Sequence, residues 1–69
     1  MNLRDLREMT GKTQADLASA AEMSQSEASR TERRNDHLLS TLRRYVAALG
    51  GELEVTAVFD NRRVVLRGV

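Results

Sequence analysis

Cysteine is absent from the 69 residues, so neither a disulfide nor a thiolate metal site braces this fold. The absence is compatible with a reducing compartment. Tryptophan and proline are also missing, and Tyr45 and Phe59 are the only aromatic residues. There is thus no Pro-rich linker, and no aromatic platform of the kind that stacks single-stranded RNA bases. No apolar run approaches a membrane span or a signal-peptide core, so no membrane partner is expected and the chain reads as cytoplasmic. His37 is the only histidine, beside Asp36. A metal centre needs several converging ligands, so none is expected and His37 is read as a surface loop residue. Ser24, Ser26 and Ser29 lack a plausible general base, and no Gly-rich phosphate cradle is present. No catalytic residue, no cofactor and no enzymatic activity are expected.

What is present fits one small domain over residues 1–69, with a helical part, 1–50, and a C-terminal hairpin, 51–69. Hydrophobic residues make up 41% of the chain, enough to fold but with little margin at this length. Oligomerisation is the expected source of the missing burial. Net charge is only +1. Between Ser24 and Arg44, however, five arginines (Arg30, Arg33, Arg34, Arg43, Arg44) face three acids, Glu27, Glu32 and Asp36. That bias matters only where geometry focuses it.

Hydrophobic spacing and capping residues predict four helices and two strands. Asn2 caps a helix over Leu3 to Met9, with Asp5 three residues on, and Gly11 ends it. Thr13 and Asp16 open a second helix from Gln14 to Ala20 or Ala21. Ser24 and Glu27 form a fuller capping box for a third, to about Arg34. Only Ala20 to Met23 separate the second and third helices, a turn that forces a steep crossing. After a loop from Asn35 to Leu39, Ser40 caps a fourth helix with Leu42, Tyr45, Val46 and Leu49 along one face. Gly50-Gly51 stops it. The period then becomes two: Leu53, Val55, Ala57 and Phe59 share a strand face, Asp60-Asn61 turns the chain, and Arg62 to Arg67 returns with Val64 and Leu66 on that face. This register sets Glu54 opposite Arg67. Arg62-Arg63 at the tip reads as a solvated turn.

The third helix is the odd element, because Ala28 is its only apolar residue. At about 100° per residue from Gln25, Ser29 falls near 40°, Arg33 near 80°, Ser26 near 100° and Arg30 near 140°. Ser24, Ala28 and Thr31 cluster oppositely, between about 240° and 300°. One face is therefore small enough to pack on the second helix, and the other offers hydrogen-bonding side chains flanked by arginine. A lone polar helix is more often simply solvated. The tight turn and two capped starts favour a face that enters the DNA major groove, where Gln, Ser and Arg read base edges. Gln25, Ser26, Ser29 and Arg30 are the candidate base-contacting residues, with Arg30 suited to guanine and Gln25 to adenine. Thr13, Gln14, Arg33 and Arg34 are the candidate phosphate-contacting residues.

The stretch TQADLASAAEMSQSEASRTER resembles the helix-turn-helix of the phage-repressor-like, xenobiotic-response-element family. LRDLREMTGKTQ and STLRRYVAALGGELEV extend the likeness over most of the chain, and the latter is similar to antitoxins of the host-inhibition-of-growth type. The resemblance implies a mainly α fold, a four-to-five-helix repressor-like helix-turn-helix bundle, here with a C-terminal β-hairpin. It also implies dimerisation and binding to palindromic operators, often with repression of the protein's own operon. By motif position Gln25, Ser26, Ser29 and Arg30 match base-reading residues and Gln14 a phosphate-contacting one. Ala18 matches the small residue between the two helices, and Leu17, Ala21 and Met23 match core positions. Three residues depart from the pattern. Glu22 replaces the usual turn glycine, where a left-handed backbone would cost about 1 kcal/mol. Ala28 and Thr31 replace larger aliphatics, which implies a loosely docked third helix.

A lone hairpin is marginal in water, so the face of Leu53, Val55, Ala57, Phe59, Val64 and Leu66 must cover something. Packing on the fourth helix of the same chain accounts for part of it. Open strand edges also template pairing, so a homodimer with hairpins from two chains in one sheet is expected. The same region is also suited to a toxin protein. The sequence thus predicts a dimeric, sequence-specific regulator of double-stranded DNA, an autoregulatory repressor, with toxin neutralisation as the alternative.

Overall fold

Three of the four helices begin by the same local device. In the computed structural model, which describes residues 1–69, the side chains of Asn2, Thr13 and Ser24 accept the amide N–H three residues on. Asp5, Asp16 and Glu27 return the bond to the capping residue's own N–H. Each start thereby satisfies two amides that a helix otherwise leaves without partners. The helices are α1 (Leu3–Met9), α2 (Gln14–Ala20), α3 (Gln25–Arg33) and α4 (Leu39–Ala48), followed by strands β1 (Val55–Phe59) and β2 (Arg62–Leu66).

The start of α4 corrects the expected Ser40 cap. The helix opens two residues earlier, Leu38 takes the cap position, and no side chain caps it. Packing of its apolar stripe sets this helix: Tyr45 and Leu49 are buried and Leu42 and Val46 half-buried. A buried face contributes more to such a helix than a single capping bond. Its end is as expected. Gly50 takes a φ of 89°, and the Gly50 and Gly51 amides donate to the carbonyls of Ala47 and Val46 at 2.9 and 3.0 Å.

The turn between α2 and α3 uses the same closing pair of bonds, from Glu22 N–H to Ser19 O and from Met23 N–H to Ala18 O. Glu22 therefore sits at a φ of 56°, the only non-glycine residue in the left-handed region. Arg44, on α4, donates to the Ala21 carbonyl at 3.1 Å and ties this turn to the bundle.

Only eight residues are buried. Leu17, Ala18, Ala28, Tyr45 and Leu49 form the core cluster, with Leu3, Leu6, Met23 and Ala48 packed around it. Ala21 is also buried, so the core positions implied for Leu17 and Ala21 hold, and Met23 is half-buried. Ala28 is fully enclosed, and Thr31 Oγ1 donates back to the Glu27 carbonyl at 2.8 Å. The small residues on α3 thus permit a close approach to α2, in place of the loose docking expected from their size.

A buried polar cluster fastens α3 from its other end. Arg7 Nε donates to Glu32 Oε2 at 2.7 Å and its Nη2 to Oε1 at 3.3 Å, while Nη1 donates to the Lys12 carbonyl at 2.9 Å. The Tyr45 hydroxyl lies 2.8 Å from Glu32 Oε2 and 3.0 Å from the Leu3 carbonyl, its one proton shared between two acceptors. Gln14 Nε2 donates to Glu32 Oε1 at 3.4 Å. Side-chain exposure is 11% for Arg7 and 5% for Glu32, so all four helices meet at one carboxylate out of water. Burial opposes the charge on Glu32, but the bonds from Arg7 and Tyr45 outweigh it and hold the carboxyl below its ordinary range. Burial, followed by Glu32, pushes the Tyr45 hydroxyl far above its ordinary range.

The strands pair antiparallel from Val55↔Leu66 to Phe59↔Arg62, the expected register. Several details differ. Leu53 precedes β1 and is half-buried outside the ladder. Glu54 and Arg67 lie one step beyond its last pair and form no ion pair; the next residue, Gly68, leaves the extended region at a φ of 73°. Asp60 and Asn61 turn without entering the positive-φ region that both residues tolerate. Most importantly, neither strand packs extensively on α4. Phe59 is 63% exposed, and Val64 and Leu66 are also exposed. The molecule is accordingly elongated, 41 × 22 × 21 Å. No helix is long and apolar enough to cross a membrane.

Two stability predictions follow from these contacts. Glu22→Gly relieves the left-handed strain and raises unfolding free energy by about 1 kcal/mol, read as a higher urea midpoint with an unchanged m-value; a lower midpoint contradicts it. For Glu32, the unfolded chain takes up a proton near the ordinary value of 4.5 while the folded chain resists. Stability is therefore fully present above that pH and is lost as pH falls through the folded value. Tyr45→Phe, which removes one donor to Glu32, should cost about 1 kcal/mol at neutral pH and, because the folded carboxyl is then less depressed, complete a smaller acid loss at a higher pH from the same onset. Urea midpoints across about pH 3 to 7 test this, and identical acid profiles for parent and variant would contradict it.

Candidate nucleic-acid interface

With Ala28 and Thr31 turned inward, the helical period of α3 presents the remaining side chains to solvent. Gln25, Ser26, Arg30 and Arg33 are exposed and Ser29 is half-buried. Together with Gln14 from the start of α2, these residues line one shallow concavity. The structure thus brings together all four residues expected to contact bases, with Gln14 and Arg33 at the edge.

Local bonds set the side chains within it. Arg33 Nη1 donates to Ser29 Oγ at 2.8 Å, one helical turn back. Gln14 is held by Glu32, so the cluster that docks α3 also fixes the amide at the edge of the concavity. Thr13 is exposed, but its hydroxyl is committed to the α2 cap. Asp16 caps the same turn, and bonds from the Thr13 side chain and backbone hold its carboxyl below its ordinary range. The amides of Gln14 and Ala15 are the first-turn donors that the capping box leaves over.

Arg34 stands apart. It lies past the end of α3 and outside the concavity just described, in a neighbouring groove that it lines with Arg30, His37, Leu38, Thr41 and Arg44. His37 is also placed differently from the solvated residue expected. It is half-buried, with Nε2 2.7 Å from the Thr31 carbonyl, where as the protonated nitrogen it donates to the last turn of α3.

Sequence reasoning passed over Arg7, Glu32 and the role of the Tyr45 hydroxyl. Arg7 and Glu32 lie 25 positions apart, so no local spacing announces their pairing. The one available signal was an acid on a helix otherwise offering arginine outward. No group of His, Cys, Asp or Glu is arranged to hold a metal ion.

A helix-turn-helix domain family model matches residues 1–59. Among solved structures, a HigA antitoxin described for induced DNA bending by unique dimerization superposes with a TM-score of 0.90 at 37% identity. The match covers 97% of this chain and 92% of that one. The DNA-bound antitoxin HigA3 superposes with a TM-score of 0.91 at 36% identity, covering 100% of this chain and 92% of the other. Comparison with curated protein sequences gives no match. Capped helices, a tight α2–α3 turn and an outward polar face on α3 agree with these likenesses: the chain belongs to the helix-turn-helix domain family and is similar throughout its length to HigA antitoxins.

Proposed function

We propose that this protein is a cytoplasmic, sequence-specific regulator that binds double-stranded DNA as a homodimer and represses its own operon through a palindromic operator. The observation that carries this reading is α3 itself. It is a rigid helix, capped at its start and anchored by Glu32, whose outer side holds Gln25, Ser26, Ser29 and Arg30. A solubilising helix needs no such bracing. A helix that must hold side chains against base edges does, because a bidentate base contact tolerates little displacement. Arg30 and Gln25 are the residues for guanine and adenine, Ser26 completes the base-facing side, Ser29 lies between it and Arg33, and Thr13, Gln14 and Arg33 lie where the groove meets the phosphates. Arg34, at the extended C-cap of α3, lines a neighbouring groove together with Arg30 and is a further candidate for a phosphate.

Exposed area supports the dimer. A folded monomer of 7.7 kDa is expected to expose about 4300 Å². This chain exposes 5238 Å². The excess, roughly 900 Å², is close to the roughly 800 Å² that one partner contributes to a standard interface. Phe59, Val64 and Leu66 on the hairpin supply an apolar surface that the bundle does not cover, with Val55 and Ala57 partly covered beside them and Leu53 at its base. Two-fold pairing there would set the recognition helices one DNA turn apart, about 34 Å.

Similarity to HigA antitoxins favours a second role, the binding and neutralising of a toxin protein. The neighbouring reading frame decides its relevance. If that frame encodes a growth-inhibiting protein, co-expression with this chain should restore growth, and continued inhibition contradicts the antitoxin role.

The regulatory reading is tested on the DNA upstream of the protein's own gene and on a random duplex pool. Selected sequences should share two inverted half-sites; failure to retain any duplex at low salt contradicts the proposal. Arg30→Ala should cost about 1–3 kcal/mol and relax preference at one base pair of each half-site, whereas Arg33→Ala should weaken all sequences alike. If both variants bind like the parent, the reading face is misassigned.

A further inference from the structure

The bond between Arg33 and Ser29 divides the outer side of α3 into two parts. Resting on the DNA-binding reading above, we infer that Ser29 is a positioning residue, one that aims Arg33 at a DNA phosphate shared with Lys12, and not itself a reader of bases.

Three observations carry this. First, Arg33 Nη1 donates to Ser29 Oγ at 2.8 Å, which occupies a lone pair that a base-reading serine would offer to a base donor. Ser29 is half-buried, whereas Gln25, Ser26 and Arg30 stand free in solvent. Secondly, Ser29 and Arg33 belong to two concavities. One holds Gln25, Ser26 and Arg30, and the other runs toward the α1–α2 turn, where Lys12, Thr13 and Gln14 line it. Within this second cleft Arg7 is neutralised by Glu32, and Glu8 lies 3.8 Å from Arg4. Lys12 and Arg33 are the cations left without an ion-pair partner. Thirdly, the helix rises 1.5 Å per residue, so Arg33 lies about 12 Å along the axis from Gln25, close to the width of the major groove. A helix that enters with Gln25 at the bases therefore carries Arg33 to the groove's edge, where the phosphates lie.

The geometry of the clamp is thus a fork. The Arg33 guanidinium keeps donors free beyond the one spent on Ser29 and faces the phosphate from α3. Lys12 faces it from the α1–α2 turn. Ser29 fixes the arginine rotamer before DNA arrives, so less side-chain freedom is lost on binding.

The test uses the full chain, the duplex selected from the random pool, and a set of duplexes each altered at one base pair, with binding measured at several salt concentrations. Ser29→Ala should weaken every duplex by a similar factor, about three- to tenfold, and leave the ranking of sequences unchanged. Arg33→Ala and Lys12→Ala should each lower the slope of log affinity against log salt by about 0.9. Ser29→Ala in the Arg33→Ala background should add little, and Ser29→Thr, which keeps the hydroxyl, should bind nearly as the parent does. A folding defect in Ser29→Ala would instead persist in full in the Arg33→Ala background, and that pattern overturns the inference. A changed preference at one base pair also overturns it and makes Ser29 a base reader, while the DNA-binding reading stands. Parent protein that binds no duplex overturns both.

Discussion

One carboxylate holds the bundle together. Glu32 receives Arg7 from α1, Gln14 from α2 and Tyr45 from α4, and it sits on α3 itself. In a chain with so few buried residues, Leu17 and Tyr45 are the largest fully buried side chains, and the surface between α2 and α3 is made largely of alanines. Such a core has little shape to specify how α3 lies on α2. A buried ion pair adds modest net stability, because desolvation offsets most of the attraction. What it supplies here is geometry: two nitrogens of a planar guanidinium meet two carboxylate oxygens in one orientation. Losing either partner would leave the other charge buried and unpaired, so the arrangement is retained as a unit.

That unit connects stability to the outward side of α3. Glu32 and Arg33 are adjacent, and Gln14 links the cluster to the edge of the concavity. Docking of the helix and placement of its exposed side chains are therefore set by shared contacts. Glu22 and Arg44 brace the other end, where a left-handed residue closes α2 and an arginine from α4 holds the Ala21 carbonyl. The hairpin obeys a different logic. Its strands satisfy each other's backbone bonds but leave Val58, Phe59, Val64, Val65 and Leu66 largely in water, the condition of a surface that a partner would finish.

Much of this was legible in the sequence because it is local. The capping boxes at Asn2, Thr13 and Ser24 span four residues each, so they marked the starts of α1, α2 and α3, and the alternation around Val55 to Leu66 marked the register of the hairpin. The outward set of Gln25, Ser26, Ser29, Arg30 and Arg33 followed from helical period alone. What was not legible is what arises between distant segments. The Arg7–Glu32–Tyr45 cluster joins residues up to 38 positions apart in numbering, and Arg7 and Glu32 look like ordinary surface charges in the linear pattern. Ser40 was a plausible cap overridden by packing of the α4 stripe. Arg34 belonged to the arginine-rich run by composition, but one step past the end of α3 the backbone turns extended and the side chain leaves the shared face.

The central claim is that the outer side of α3 is the surface that meets DNA. Titration of isotopically labelled protein with a selected duplex, followed through backbone amide resonances, tests it directly. The account predicts shifts concentrated at Lys12 to Gln14 and Gln25 to Arg33, with the amides of β1 and β2 unmoved. Shifts centred on the hairpin or on α4, with α3 silent, would contradict it.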